Sequence, residues 1–328
     1  TFKRIYVPDG KSYPVNLNGI FLNTNNYLFG SGELVGPDPD AMMADVSGQM
    51  IRVDNCTGVV VTDVKIKNGY KGKGVWMTNS RNIEFNNFTI DGYSYGMWIG
   101  ENDDGVGCSD IRINQPRILN TKYWGMYVRC LDVVVEANKT QKVTINDPYF
   151  YNANMAAFVC AEGYVKHVTL VNPVFERCNV DMHFESCSNY TVINPTSIDT
   201  GKKPDHLPAN VEYPFVGWSL YQIFTQDSKV LGGNLDSTVW LGAGSDAKSW
   251  NHEYIGLTCK EFVFEGVGAI QDLSKDFFKG YTFSACTTTG VFIYQQTDAP
   301  LSYLRDFKIV DCSCLLGESG NSGSGSFI

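Results

Sequence analysis

The chain has 328 residues, with 26 Lys and Arg against 35 Asp and Glu, a formal charge of −9 and 13% aromatic residues. That balance disfavours neutralising a nucleic-acid backbone, and no run approaches the roughly 18 apolar residues of a membrane helix. The length allows one elongated or two compact domains; 32 Gly and abundant Asn suit many short strands and turns, and 3.6-period apolar faces are scarce.

Ten cysteines show neither a CxxC pair nor zinc spacing, and most sit in strand-like runs, so they read as unpaired, packed thiols of a reducing compartment. Sequons at Asn55, Asn87, Asn138 and Asn189 are what an Asn- and Thr-rich chain produces by accident. The chain starts at Thr1 with no signal-like segment, as a fragment or processed form would.

In chain order, "KRIYVPDGKSYPV" (3–15) reads as strand, Pro-Asp-Gly turn and strand, and is followed by "YLFGSGELVG" (27–36). The latter is not a dinucleotide loop, since no strand–helix unit follows it. From about residue 49 a pattern repeats. First strands read "KGVWMTN" (73–79), "YGMWIGE" (95–101), "WGMYVRC" (124–130), "MAAFVCA" (155–161) and "VDMHFES" (180–186), continued by "GWSLYQI" (217–223), "STVWLGA" (237–243), "VGAIQDL" (267–273) and "GVFIYQQ" (290–296). Second and third strands meet at an Asn turn in "IEFNNFTI" (83–90), "IRINQPRI" (111–118), "VTINDPYF" (143–150), "TLVNPVF" (169–175) and "TVINPTSI" (191–198).

A constant strand pattern at variable spacing means coils that stack in register while loops absorb insertions, because period-two alternation keeps the same side chains inward at each level. The expected architecture is an all-β solenoid of about ten coils, without leucine-rich spacing. Asn114, Asn146, Asn172 and Asn194 are expected to form an amide ladder, with the following Pro fixing φ. The domain reading is a capping segment over 1–48, the solenoid over 49–315 and a Gly/Ser-rich tail over 316–328.

Alternation places Met97, Ile99, Met126, Val128, Ala157, Val159, Met182 and Phe184 inward. Trp76, Trp98, Tyr127, Phe158 and His183 then point outward, with Thr78, Gly100, Arg129, Cys160 and Glu185 in a second outward column. An outward aromatic stripe, extended by Trp240, suits stacking on sugar rings. Long insertions at 101–110, 130–142, 201–215 and 242–254 would wall this face into a groove for an extended polymer.

Within the groove, Asp181, His183 and Glu185 are expected on one face at steps of about 6.8 Å, with Glu162 one level away. Two carboxyls about 5 Å apart suit a retaining glycosidase, and about 6.5–9.5 Å an inverting one. Glu185 is expected as acid, with a raised pKa, and Asp181 or Glu162 as base or nucleophile. Alternatively, Arg129 with His183 or Tyr127 offers the cation and base of a polysaccharide lyase acting on uronic acids. A non-catalytic glycan-binding adhesin is the third reading. "ENDDG" (101–105) has oxygens for Ca²⁺ but not EF-hand spacing, and His252 with Glu253 and Asp246 lacks metal spacing; His167 and His206 look incidental. No cofactor and no metal are expected.

The "PDG" turn, the "GSG" segment and the coil repeats together resemble right-handed parallel β-helix proteins of the pectin-lyase-like kind, most closely bacteriophage tailspike polysaccharide depolymerases, over about residues 3–315. The resemblance implies a right-handed, single-stranded parallel β-helix and hydrolysis of a bacterial surface polysaccharide, capsule or O-antigen, as substrate and partner. It also implies a homotrimer carried on the virion tail after folding in the host cytoplasm, or otherwise an extracellular protein; the charge and the short apolar runs add the expectation of no nucleic acid bound and no membrane inserted.

Overall fold

The computed structural model describes residues 3–16, 19–36, 48–67, 72–101, 105–131, 139–163, 165–202, 216–244, 249–267, 278–296, 304–315 and 326–327. They contain strands and no helix. One coil shows the plan: a front strand Tyr95–Gly100, a middle strand Ser109–Asn114 and a short strand Arg117–Leu119. The next coil repeats it with Trp124–Arg129, Gln141–Asn146 and Tyr149–Tyr151. Each strand pairs in parallel with its counterpart one coil on, Met97 with Met126, Ile111 with Val143 and Ile118 with Phe150. The result is a parallel β-helix with a front sheet of twelve strands, a middle sheet of thirteen and short sheets of eight and three. Among the described residues, one antiparallel pair joins Ile293 and Tyr294 to Phe327 and Ser326.

The core is a tube filled by one apolar side chain stacked over another. On the front sheet the inward column runs Val75, Met97, Met126, Phe158, Met182, Leu220, Val239 and Phe262, all fully buried. No coil closes its apolar face alone; stacking does so, as in any solenoid.

The repeated Asn turn has two parts. Asn87, Gln115, Asp147, Asn172 and Asn194 all have φ of 45–52°, the left-handed region that Asn and Asp tolerate best. Their amides, and those of the residues just before them, bond from coil to coil: Asn146 Nδ2 donates to Asn114 Oδ1 (2.8 Å), Asn114 to Asn86 (2.7 Å), Asn172 to Asp147 (2.9 Å) and Asn194 to Asn172 (3.3 Å). The expected single ladder is therefore two adjacent columns, since Asn172 aligns with Asp147 and not with Asn146.

The ten cysteines are free thiols, eight of them buried. The front strand expected at 267–273 instead occupies Phe262–Val267; the short strand before it has shrunk to Thr258–Cys259, which brings the next front strand early. Residues 268–273 lie outside the described residues, as do 102–104, 132–138, 203–215 and 245–248 of the expected groove walls, with His206 and Asp246 among them, and 316–325 of the tail.

Candidate active site

At the corner where the chain enters each front strand, two successive residues turn inward before alternation sets in. Gly74 and Val75, Gly96 and Met97, Gly125 and Met126 are such pairs, and each is buried. The first position has little room: a Cβ on Gly96 would lie 2.3 Å from the Gly125 carbonyl oxygen. Ala157, Asp181 and Ser219 occupy it in later coils, and Asp181 has no exposed surface. Asp181 is thus not on the groove face beside His183 and Glu185. It accepts a hydrogen bond from Thr200 Oγ1 (2.8 Å), within a network that includes Ser219 and Asp236, and burial raises its carboxyl to about 8.

A second correction concerns Phe158. It points inward, tilted against Phe184 at 5.6 Å, while Val159 takes the outward position between Tyr127 and His183. Cys160 likewise points inward, opposite Val128 and Phe184. All six residues of Ala156–Ala161 are apolar and buried, so alternation in sequence carries no phase there.

With those changes the outward column is continuous: Arg52, Trp76, Trp98, Tyr127, Val159, His183, Tyr221, Trp240 and Val263. Trp76 to Trp240 spans six steps, about 29 Å at the usual strand spacing. Trp98, Tyr127 and His183 do share one exterior ridge. Ala156, Val159 and Ala161, with Val180 on the next coil, form a seam of small side chains across it, flanked by Trp124 and Tyr127 on one side and by Trp218 and Tyr221 on the other. Tyr127 and Trp240 are 2% and 4% exposed, so their rings serve as support, whereas Trp76, Trp98, Trp124, Trp218 and Tyr221 keep part of their surface open.

Charged groups flank the seam. Arg129 bridges two carboxylates, its Nη2 2.8 Å from Glu101 Oε1 and its Nε 2.8 Å from Glu162 Oε2. Its guanidinium also lies 5.1 Å from the Trp98 ring centre and 5.8 Å from that of Tyr127. Burial, followed by the bond to Glu162, pushes the Tyr127 hydroxyl well above its ordinary pKa, so it stays a proton donor. Two coils on from Tyr127, His183 Nε2 is 3.1 Å from Glu185 Oε2, and the imidazole meets Tyr221 edge-on at 4.6 Å. This bond to His183 holds the Glu185 carboxyl below its ordinary value against the opposing effect of burial. The expected raised pKa of an acid is not what Glu185 has.

Glu162 sits just past its front strand with φ of 72°, and so do Asn79, Ser186 and Phe224 with φ of 42–56°. The left-handed turn is a corner shared by these coils, not strain peculiar to Glu162. Glu265, absent from the sequence reading, lies outward at the far end of the groove, opposite Gly242; burial raises its carboxyl and the Trp240 indole opposes that. Glu101 was read only as part of the "ENDDG" run, although it follows its front strand much as Glu162 does. His252 is fully buried inside the tube, 2.6 Å from Ser228 Oγ, and Glu253 pairs with Lys229 outside at 2.9 Å; they form no common site. Among the described residues no cluster of three metal-ligating side chains occurs.

No protein-family model matches the chain, and no curated protein sequence does. Solved structures do resemble it. The A-module of Azotobacter vinelandii mannuronan C-5 epimerase AlgE6 aligns with a TM-score of 0.55 at 13% identity, over 95% of this chain and 90% of its own. The catalytic domain of a GH87 alpha-1,3-glucanase gives 0.54 at 13%, over 96% and 62%. The tailspike protein of E. coli bacteriophage HK620 gives 0.51 at 12%, over 95% and 60%. The chain shares the parallel β-helix fold with all three.

Proposed function

We propose that the chain is a polysaccharide depolymerase of the tailspike kind, hydrolysing a bacterial capsule or O-antigen bound along the front sheet. The observation that carries this reading is the seam: small side chains at Ala156, Val159 and Ala161, open rings on both sides, and Glu162 and Glu185 at its edge. Rings supply apolar faces for sugar C–H surfaces, and the carboxylates supply acid and base work. Structural neighbours support it, since they include a glucanase crystallised with tetrasaccharides and a tailspike crystallised with a pentasaccharide.

The roles follow from the electrostatics. Glu185, kept ionised by His183, is the base or nucleophile. Asp181 is sealed inside the tube, which leaves Glu162, one coil before Glu185, as the second carboxyl of the pair. The lyase reading needs a cation for a uronate carboxylate, and Arg129 is already matched by two glutamates. Assembly as a homotrimer on a virion tail belongs to the same proposal.

Incubation with purified capsule or O-antigen tests it. New reducing ends without the near-ultraviolet absorbance of an unsaturated sugar are expected. Unsaturated products would favour the lyase, and tight binding with unchanged polymer length would favour a non-catalytic spike.

A further inference from the structure

Reading the groove as a glycan site leaves open which glycans it admits, and the charges along it bear on that. The described outward positions of the front strands carry three cations, Arg52, Lys73 and Arg129, and the corners entering them carry Lys122, over the Tyr123 ring at 5.2 Å, and Lys260, 3.7 Å from Glu261, against Asp54, Glu101, Glu162, Glu185, Glu261 and Glu265. Every cation is engaged. Arg52 pairs with Asp54 at 2.9 Å and lies 4.4 Å from the Trp76 ring centre. Lys73 sits over the Trp98 and Tyr95 rings at 5.1 and 5.9 Å, where burial, aided by Arg129, lowers its pKa. Arg129 serves two glutamates. The side-chain surface of Arg129 is 15% exposed, so its charge is not offered to solvent.

At Arg52 and Arg129 a sugar carboxylate, sulfate or phosphate entering this groove would have to displace a protein carboxylate, and at Lys73 it would have to draw the ammonium off the rings it covers. That exchange replaces one ion pair with another and leaves the displaced glutamate unpaired in a partly dry site already rich in its own sign. The whole chain, at −9, adds no compensating long-range attraction. An uncharged sugar meets no such penalty: its C–H faces take the rings, and its hydroxyl or acetamido groups donate to the carboxylates.

We infer that the polymer bound here is uncharged, its sugars bearing no carboxylate, sulfate or phosphate. This rests on the groove being a glycan site. The test is retention of the intact protein on a panel of immobilised bacterial surface polysaccharides of known composition, uncharged and acidic, at 20 and 500 mM NaCl. Retention on one or more uncharged polymers, changing less than twofold with salt, is the expected result, with acidic polymers at least tenfold weaker. Tightest retention on an acidic polymer, weakening tenfold or more in high salt, overturns the charge inference and leaves the glycan groove standing. Retention on none overturns the groove itself, and this inference with it.

Discussion

The two flanks of the seam are built from the same residue types in different arrangements. On the flank of Trp98, Trp124 and Tyr127 the rings meet at steep angles, 88° between Trp98 and Tyr127 and 52° between Trp124 and Tyr127, and cations lie over Trp76, Trp98 and Tyr127. On the other flank Trp218, Tyr221 and Trp240 are nearly parallel, at 11–26°, with centroids 4.6–5.2 Å apart. A ring face already facing a guanidinium or ammonium has less to offer a sugar, and rings stacked on one another leave only their outermost face and edges open to it. The first flank is thus suited to hold charge in place, the second to hold substrate.

The largest effect expected is at the seam itself. Glu185→Gln, and separately Glu162→Gln, should lower the cleavage rate about 10²- to 10⁴-fold, the usual worth of a positioned acid or base, while leaving glycan binding intact. Reducing-end assays beside binding isotherms check this; equal loss of both would make these residues part of the binding surface only.

Phe158→Ala sharpens where the seam lies. Removing this fully buried ring should cost about 3–5 kcal/mol of stability, read by denaturant unfolding, with no selective change in glycan affinity in the folded fraction. Loss of affinity at unchanged stability would put Phe158 back on the outside.

The flanks should also differ in binding. Trp218→Ala or Tyr221→Ala should weaken glycan affinity about tenfold, or ~1.4 kcal/mol, and Trp98→Ala by clearly less, since its face is shared with Arg129 and Lys73. Isothermal titration separates the two; a larger loss at Trp98 would reverse the division of labour.

The smallest effect concerns what roots the second flank. Asp181 bonds Thr200, which contacts Ser219, the neighbour of Trp218. Its folded pKa of about 8 exceeds the unfolded value near 3.8, so the contribution of its protonated form is complete below about pH 4 and is lost as pH rises through 8. Asp181→Asn should therefore flatten the decline of Tm between pH 5 and 9, leaving the variant a few degrees above the native chain at pH 9. Identical pH profiles would mean that Asp181 is not held protonated.

The coil repeat, the inward columns and the Asn ladders were legible because each depends on local alternation and on a turn that needs left-handed φ. The phase was lost where chemistry stopped alternating: Ala156–Ala161 is apolar at every position, which shifted Phe158, Val159 and Cys160 by one. Asp181 was misplaced because the strand corner turns two successive residues inward, a property of backbone geometry that only the Gly74, Gly96 and Gly125 series hints at. Trp124, Trp218 and Tyr221 were visible in the quoted strands, but their place beside the seam depends on insertions of unequal length. The pairing of Arg129 with both Glu101 and Glu162 joins three successive coils and had no signature in sequence spacing.

The most direct test is a crystal structure of the Glu185→Gln variant soaked with an oligosaccharide of its polymer. The sugar chain should lie along the front sheet, with a ring against Trp218 or Tyr221 and a glycosidic oxygen over Ala156–Ala161 within reach of Glu162. An oligosaccharide seated on the middle or short sheet, away from that seam, would contradict the account.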